Sequence, residues 1–372
     1  MSSQIGNILK VSLFGESHGT AIGAVIDGFP PGFEIDEERL LAFMARRAPG
    51  RDRTATPRRE SDLPRILSGV RNGITCGTPI AAVIENADQH SGDYSRMASA
   101  ARPGHADYTG YLRYRGSGDV RGGGHFSARL TAPLTFAGGL CLQYLEKRGI
   151  CIGAHLLSVR DAEDTPFPET DPTPEQVTAP GKKKFPVLDD SAEERIRAVI
   201  EEARQNEDSV GGVVEVAVTG MPAGIGSPIF DTLEGRLSFG YFGIPAVKGV
   251  EFGAGFRAAG LYGSENNDAF YIDEGGSVKT RSNHHGGILG GISSGMPVIA
   301  RLAFKPTPSI GREQETVDFI RKEETKLRIA GRHDPCVAVR AVPVVEAMTA
   351  VVLTDMLLEQ EGCAGEGGEP RR

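Results

Sequence analysis

A chain of 372 residues, 39% hydrophobic and 24% charged with a net charge of −8, can bury a substantial core, which excludes a wholly disordered protein. The acidic total disfavours generic nucleic-acid binding, because that affinity scales with the phosphates neutralised along an extended basic surface. Five scattered cysteines without a C-x-x-C pair argue against a disulfide framework or zinc ribbon and for a reducing cytoplasm, while the N-terminus lacks a signal pattern and no apolar run approaches the ~20 residues of a membrane helix.

In chain order, ILKVSLF and AVIDGFPPG read as a hairpin whose connection, GESHGTAIG, places His18 on a loop between strands. Asp36 is the expected N-cap of a helix from about Glu37 to Arg47, with acidic residues in its first turn and Arg46 and Arg47 in its last, as the helix dipole favours. ILSGV and ITCGTPIAAVIEN flank Arg71-Asn72-Gly73, and Asn-Gly between apolar runs signals a hairpin. The run from Phe126 to Arg148 reads as a largely buried helix, and CIGAHLLSV returns as a strand. Residues 160–190, rich in Pro, Asp, Thr and Glu, read as an exposed connector with little regular structure. A helix over about Ala192 to Gln205 and a strand in GGVVEVAVTGMPAG follow, and residues 361–372 read as a disordered tail.

The second half echoes the first in the same order. GFPPG resembles GMPAG, ILSGVRNG with Pro79 resembles ILGGISSG with Pro297, and His125, Arg129 and Pro133 resemble His333, Arg340 and Pro343. The expected architecture is one α/β (α+β) domain over residues 1–360, with pseudo-symmetric halves at about 1–160 and 190–360 sharing one core.

Chemistry concentrates in the first half. From Arg39 to Arg129 there are 15 arginines against 8 acidic residues, and no lysine lies between Lys10 and Lys147. Arginine offers a permanently charged planar fork that grips carboxylate or phosphate through two bonds. Codon bias would explain the pattern less well, since Lys182, Lys183 and Lys184 show that lysine is used elsewhere. Among these arginines stand histidines in glycine-rich settings. GESHG puts Ser17 and His18 in a turn open to a ligand, and because Ser17 is not at a strand-to-helix elbow, His18 as a general acid is the better reading than a serine hydrolase. RPGHADYTG sets the anion binder Arg102 beside His105, and RGGGHFSARLTA joins Arg121, three glycines, His125, Ser127 and Arg129 at a helix start suited to phosphate. Neither a P-loop nor a dinucleotide G-x-G-x-x-G is present. In the second half, SNHHGGILGGISSG carries adjacent His284 and His285, which cannot easily share one metal, and no carboxylate sits at ligand spacing, so no metal is expected. KPTPS, with Lys305, Thr307 and Ser309, could hold a phosphate, and GRHDPC offers Arg332 as a clamp and Asp334 as a base or a turn initiator.

Together GESHG, RPGHAD, RGGGHFSAR, SNHHGGILGGISSG, KPTPS and GRHDPC resemble the chorismate synthase family, in order from about residue 5 to residue 358. The resemblance implies a β-α-β sandwich assembled as a homotetramer, and reduced FMN used to convert 5-enolpyruvylshikimate 3-phosphate to chorismate by 1,4-anti elimination of phosphate without net redox change. It implies catalysis by His18, protonating the departing phosphate, by His105 beside the flavin, and by Asp334, assisting proton removal. Ser17, Arg47, Arg53, Arg102, Arg129 and Arg332 become substrate clamps. Flavin contacts fall on His125, Phe126, Ser127, Ala246, Gly290, Lys305, Pro306, Thr307, Pro308, Ser309 and Arg332. NADPH is a conceivable flavin reductant, with Arg47 and Arg53 as its contacts; the missing dinucleotide fingerprint favours an external flavin reductase instead. The competing readings are a flavin-dependent oxidoreductase acting on an anionic substrate and an RNA-binding surface, the latter disfavoured by the absence of aromatics from Arg46 to Arg59.

Overall fold

Ile22, Ala24 and Ile26 are shut away from solvent on one strand, whose pairing on both edges makes it the centre of a sheet. The computed structural model describes residues 3–50, 62–86, 99–329 and 334–363. The first half runs β1 (Gln4–Ile5), β2 (Lys10–Gly15), β3 (Ala21–Asp27), α1 (Glu37–Arg47), β4 (Arg65–Ser68), β5 (Val70–Arg71), β6 (Ile74–Thr75), β7 (Ile80–Glu85), α2 (Asp107–Tyr114) and α3 (Thr131–Glu146). The second runs β8 (Cys151–Val159), β9 (Ala162–Glu163), α4 (Pro174–Lys182), α5 (Asp190–Gln205), β10 (Gly212–Thr219), α6 (Leu233–Gly243), β11 (Val247–Phe252), α7 (Gly263–Asn266), β12 (Phe270–Ile272), β13 (Val278–Thr280), β14 (Ile288–Leu289), β15 (Ile292–Ser293), β16 (Val298–Phe304), β17 (Gln314–Asp318), β18 (Glu323–Leu327) and α8 (Ala338–Cys363).

Two antiparallel five-stranded sheets result, ordered β1-β2-β3-β7-β4 and β11-β16-β10-β8-β9. The central four strands follow one topology: β2-β3-β7-β4 in the first half answers β8-β10-β16-β11 in the second, with α1 answering α6, hairpin β5–β6 answering β14–β15, and α3 answering α8. α3 and α8 lie between the sheets, while α4 packs on the other face of the second sheet. α3 covers β2, β3 and β7, α8 covers β8 and β10, and the two helices pack on each other so closely that a Cβ on Gly138 would stand 2.3 Å from Cα of Ala347. Asp36 caps α1 by accepting from the Arg39 amide, and Asn72 and Gly73 take the left-handed φ of 51° and 76° that the β5–β6 turn requires.

Four expectations need correction. Residues 160–190 are not an exposed connector: they hold β9 and α4, with Thr173 and Gln176 forming a capping box ahead of Pro174, and Phe167, Val177, Phe185 and Val187 are buried. Apart from the short run at 185–188 their apolar residues stand among polar ones, so no periodicity shows, yet Phe167, Val177, Phe185 and Val187 seat in the core. The helix expected from Phe126 starts at Thr131, because Gly122, Gly123 and Gly124 adopt left-handed φ and Ser127 is extended, leaving only short 3₁₀ turns before it. The chain does contain a helix long and apolar enough to cross a membrane by length and composition, Ala338–Gly362, whose apolar 18-residue stretch is 94% buried inside the protein. Its carboxylates have internal partners: Glu346 takes a two-pronged bond from Arg46 at 2.6 and 2.8 Å, and Asp355 accepts from Asn7, Ile8 and Leu9 amides and from Arg236. That helix also continues through Cys363, so residues 361–363 are helical, whereas 364–372 lie outside the described residues.

Candidate active site

Corresponding connections of the two halves carry the candidate site: of the described residues, 86 and 99–130 between β7 and α3, and 305–329 and 334–337 between β16 and α8. They are tied directly. Lys305 Nζ donates to the Gly104 carbonyl, Arg102 Nη1 lies 3.4 Å from Ser309 Oγ, and Ser99 Oγ donates to Asp318 at 2.7 Å. Phe319, just past β17, packs on Tyr108 and Tyr111 of α2.

The β2–β3 turn enters from the side. Gly19 N–H donates to the Glu16 carbonyl, Asn86 Nδ2 bonds the carbonyls of Glu16 and Gly19, and Ser17 N–H donates to Gly124 at 3.1 Å. Buried His18, 3% exposed, is thereby pressed onto the glycine run. A Cβ at Gly122 would stand 2.2 Å from the His18 ring, and one at Gly123 would stand 3.2 Å from Nε2 of His105. Only glycine combines that closeness with φ of 59° and 91°, so the triple glycine is the seam that joins the two histidines.

Around this seam lie buried arginines. Arg47 donates to Asp62 at 2.5 Å, to Thr131 Oγ1 at 3.0 Å and to the Ala128 carbonyl at 3.0 Å; Arg129 donates to the same Asp62 and to Asn86 at 3.1 Å. Burial lowers the Arg47 pKa to about 10 despite the opposing pull of Asp62. Burial would raise Asp62, but the two guanidiniums outweigh it and hold the carboxyl below its ordinary value. Arg102 is engaged by Asp107 through Nε at 2.8 Å and Nη2 at 2.7 Å. Asp334 accepts from Arg340 at 2.6 Å, and Arg340 Nε donates to the Arg47 carbonyl at 3.1 Å, linking the start of α8 to the arginine group. Asp334 and Ser309 line one cavity of about 450 Å³ with Arg204, Asp208 and Arg328.

The remaining expected contacts divide. Ala246 has φ of 75°, a strained value for a residue with a side chain, and its carbonyl accepts from Lys305 N at 3.0 Å, so it lies against the 305–309 segment. Pro308 sits 3.5 Å from the position a Gly104 Cβ would take, and Pro306 packs at Gly211. Ser127 Oγ caps the turn at Arg129. His125 is fully engaged by framework: Nδ1 is 2.8 Å from the Gly15 carbonyl and Nε2 2.8 Å from Ser3 Oγ. Phe126 packs on Tyr114 and remains 43% exposed. Gly290 lies at the tip of the β14–β15 turn, with nothing within 4 Å of its Cβ position. Arg53 and Arg332 lie outside the described residues. His284 and His285 are less isolated than their spacing indicates, since the fold brings Asp268 to 3.5 Å from a ring nitrogen of each.

Sequence reasoning missed Asp62, Asn86, Asp107 and Arg340 as members of this network. Asp107 carried a signal, standing two residues after His105 inside RPGHADYTG. Asp62 carried little, because its partners are 15 and 67 residues away.

Two histidines thus meet on one glycine seam beside buried arginines, an arrangement that places proton carriers next to fixed cations. Comparison with known proteins gives the family. The chorismate synthase family model matches residues 9–358. The chain is 47% identical over 360 residues to a chorismate synthase of Thermococcus gammatolerans, covering 97% of this chain and 99% of the relative. It is 44% identical to that of Lancefieldella parvula, covering 96% of each. A crystal structure of a chorismate synthase superposes with a TM-score of 0.76 at 29% identity, covering 96% of this chain and 94% of that one. The chain therefore belongs to the chorismate synthase family and is an enzyme, a lyase.

Proposed function

We propose that this site converts 5-enolpyruvylshikimate 3-phosphate to chorismate by 1,4-anti elimination: a ring C–H and the C–O bond to phosphate break, a second ring double bond forms, and inorganic phosphate leaves. The observation that carries the proposal is the seam at Gly122 and Gly123, which lies against His18 and His105 together within a wall of buried arginine. A substrate with two carboxylates and a phosphate needs fixed cations in a site of low dielectric, and buried guanidiniums supply them without a metal. Arg47 and Arg129 reach the site already aligned by Asp62, so substrate meets a rigid pair. His18 donates its proton to the departing phosphate, His105 handles the proton on the opposite side of the seam, and Asp334 assists proton removal. Ser17, Arg53, Arg102 and Arg332 complete the clamp, Arg102 acting through the position it gives His105.

A reduced flavin mononucleotide fits the donor set. Buried Oγ1 of Thr307 and Oγ of Ser17 have no hydrogen-bond partner among the described residues, and each could donate to a phosphate or carboxylate. Ala246 and Lys305 to Ser309 would hold the flavin, with His125, Phe126, Ser127 and Gly290 as further contacts. When bound, a reduced flavin would supply electron density to the elimination without net oxidation. The missing dinucleotide fingerprint favours an external flavin reductase over use of NADPH through Arg47 and Arg53.

A homotetramer is supported by apolar side chains exposed on the second half, among them Phe230, Phe256, Tyr262 and Phe270. A reducing cytoplasm accords with the described cysteines Cys76, Cys141, Cys151 and Cys336, all free thiols. The test is an anaerobic assay with photoreduced FMN and 5-enolpyruvylshikimate 3-phosphate. Release of phosphate with flavin still reduced is expected, and a folded protein that releases none, or oxidises the flavin stoichiometrically, overturns the proposal.

A further inference from the structure

Asp107 opens α2 two residues beyond His105, with a side chain only 6% exposed. Its carboxylate accepts from Arg102 N–H at 2.9 Å, Arg102 Nε at 2.8 Å and Arg102 Nη2 at 2.7 Å, and its Oδ1 stands 2.7 Å from His105 Nδ1. Arg102 Nη2 also stands 3.0 Å from Nδ1. These contacts decide the tautomer. A guanidinium only donates and a carboxylate only accepts, so Nδ1 can serve one of them. A bare Nδ1 would aim its lone pair at a carboxylate oxygen 2.7 Å away, which is repulsive, while Arg102 Nη2 already has that same oxygen as acceptor. The hydrogen therefore belongs on Nδ1. Nε2 is the nitrogen left facing Gly123 and the seam shared with His18.

We propose that Asp107 is a positioning residue for the elimination: it fixes His105 with a hydrogen on Nδ1 and delivers Nε2 to the reacting side of the pocket. This rests on the assignment of the pocket to that reaction. Nε2 then accepts a proton as a free base or holds one as part of an imidazolium that Asp107 stabilises. The charged groups around His105 are Arg102 on its own segment, Asp107 on α2, Lys305 from the second connection through its bond to Gly104, and His18 across the glycine seam. Arg102 and Lys305 oppose an imidazolium, and Asp107 is the anion that offsets them.

Two measurements test this. In ¹⁵N-histidine-labelled protein near neutral pH, with His105→Asn used for assignment, the His105 signal is expected to show hydrogen on Nδ1. Asp107→Asn is expected to lower kcat about 10²-fold with KM nearly unchanged and to raise the fraction of His105 that carries its hydrogen on Nε2 in the ¹⁵N spectrum; Asp107→Glu should recover part of the rate. A wild-type signal with hydrogen on Nε2 and a bare Nδ1 overturns the proposal even if Asp107→Asn fails to fold, as does an Asp107→Asn enzyme with kcat and His105 tautomer both unchanged. Wild-type protein with the expected tautomer but no turnover would support the positioning and overturn only the elimination assignment.

Discussion

His105 and His155 each face a carboxylate with an arginine close by, in different halves of the molecule. His105 has a side chain 16% exposed and is held at one nitrogen, with the other turned to the glycine seam. His155 is 0% exposed and held at both, by Asp164 at 2.8 Å and Glu215 at 3.1 Å, with Arg301 on Glu215 at 2.9 Å and Phe167 packed edge-on against the ring. A neutral imidazole has one N–H, so two carboxylate contacts hold His155 as an imidazolium; burial alone would lower its pKa, but the bonds to Asp164 and Glu215 raise it. Reactivity thus depends on what is left unpaired. The same residue types leave one ring nitrogen facing the seam at His105 and tie up both at His155.

The topology sharpens the contrast. The β2–β3 connection is a five-residue turn that carries His18, whereas its counterpart between β8 and β10 holds β9, α4 and α5 and is anchored by Asp164, which accepts from His155 and from the amides of Leu188 and Asp189. His155→Gln should therefore destabilise the fold by about 3–5 kcal/mol, since it leaves buried carboxylates without their cation; urea unfolding would show it, and a change under 1 kcal/mol would break the comparison. Next in size, Gly122→Ala should cut turnover about 10²-fold by forcing His18 off the seam, with the melting temperature shifting far less than in His155→Gln. Equal rates in Gly122→Ala and wild type would show that the contact does not position His18.

The pH dependence of stability follows from the shifts at the structural cluster. His155 is raised in the folded state, so its contribution is complete below its ordinary pKa near 6.5 and fades as pH rises through the folded value. Burial raises Asp164, but bonds from His155 and from the Asp189 and Leu188 amides prevail and lower it, so its contribution is complete above its ordinary 3.8 and fades as pH falls. The stability gap between wild type and His155→Gln should accordingly narrow on the alkaline side, and a gap that widens there contradicts a buried imidazolium. The smallest effect belongs to a turn away from both clusters: Gly73→Ala, at φ of 76° with open space around it, should cost about 1 kcal/mol and leave turnover unchanged.

What was legible in the sequence was local. Asp36 capping α1, Asn72-Gly73 turning β5 into β6, and the histidine motifs each complete their signal within a few residues. The buried segment after β8 was not legible, because Phe167, Val177 and Phe185 find their neighbours only across the fold. In the site, arginines and histidines announced themselves by type and clustering, but the carboxylates that orient them did not. Asp62 looks like one more polar residue after Arg58 and Arg59 until the chain brings Arg47 and Arg129 to it.

On this account the site at the glycine seam, to which both halves contribute, performs the chemistry, and the buried cluster around His155 only holds the fold. Phosphate release from 5-enolpyruvylshikimate 3-phosphate with reduced FMN, measured side by side for His18→Ala and His155→Gln and normalised to folded protein, tests it most directly. A loss on the order of 10³-fold or more for His18→Ala, against His155→Gln within about twofold of wild type, is the expected result; comparable losses in the two variants would contradict it.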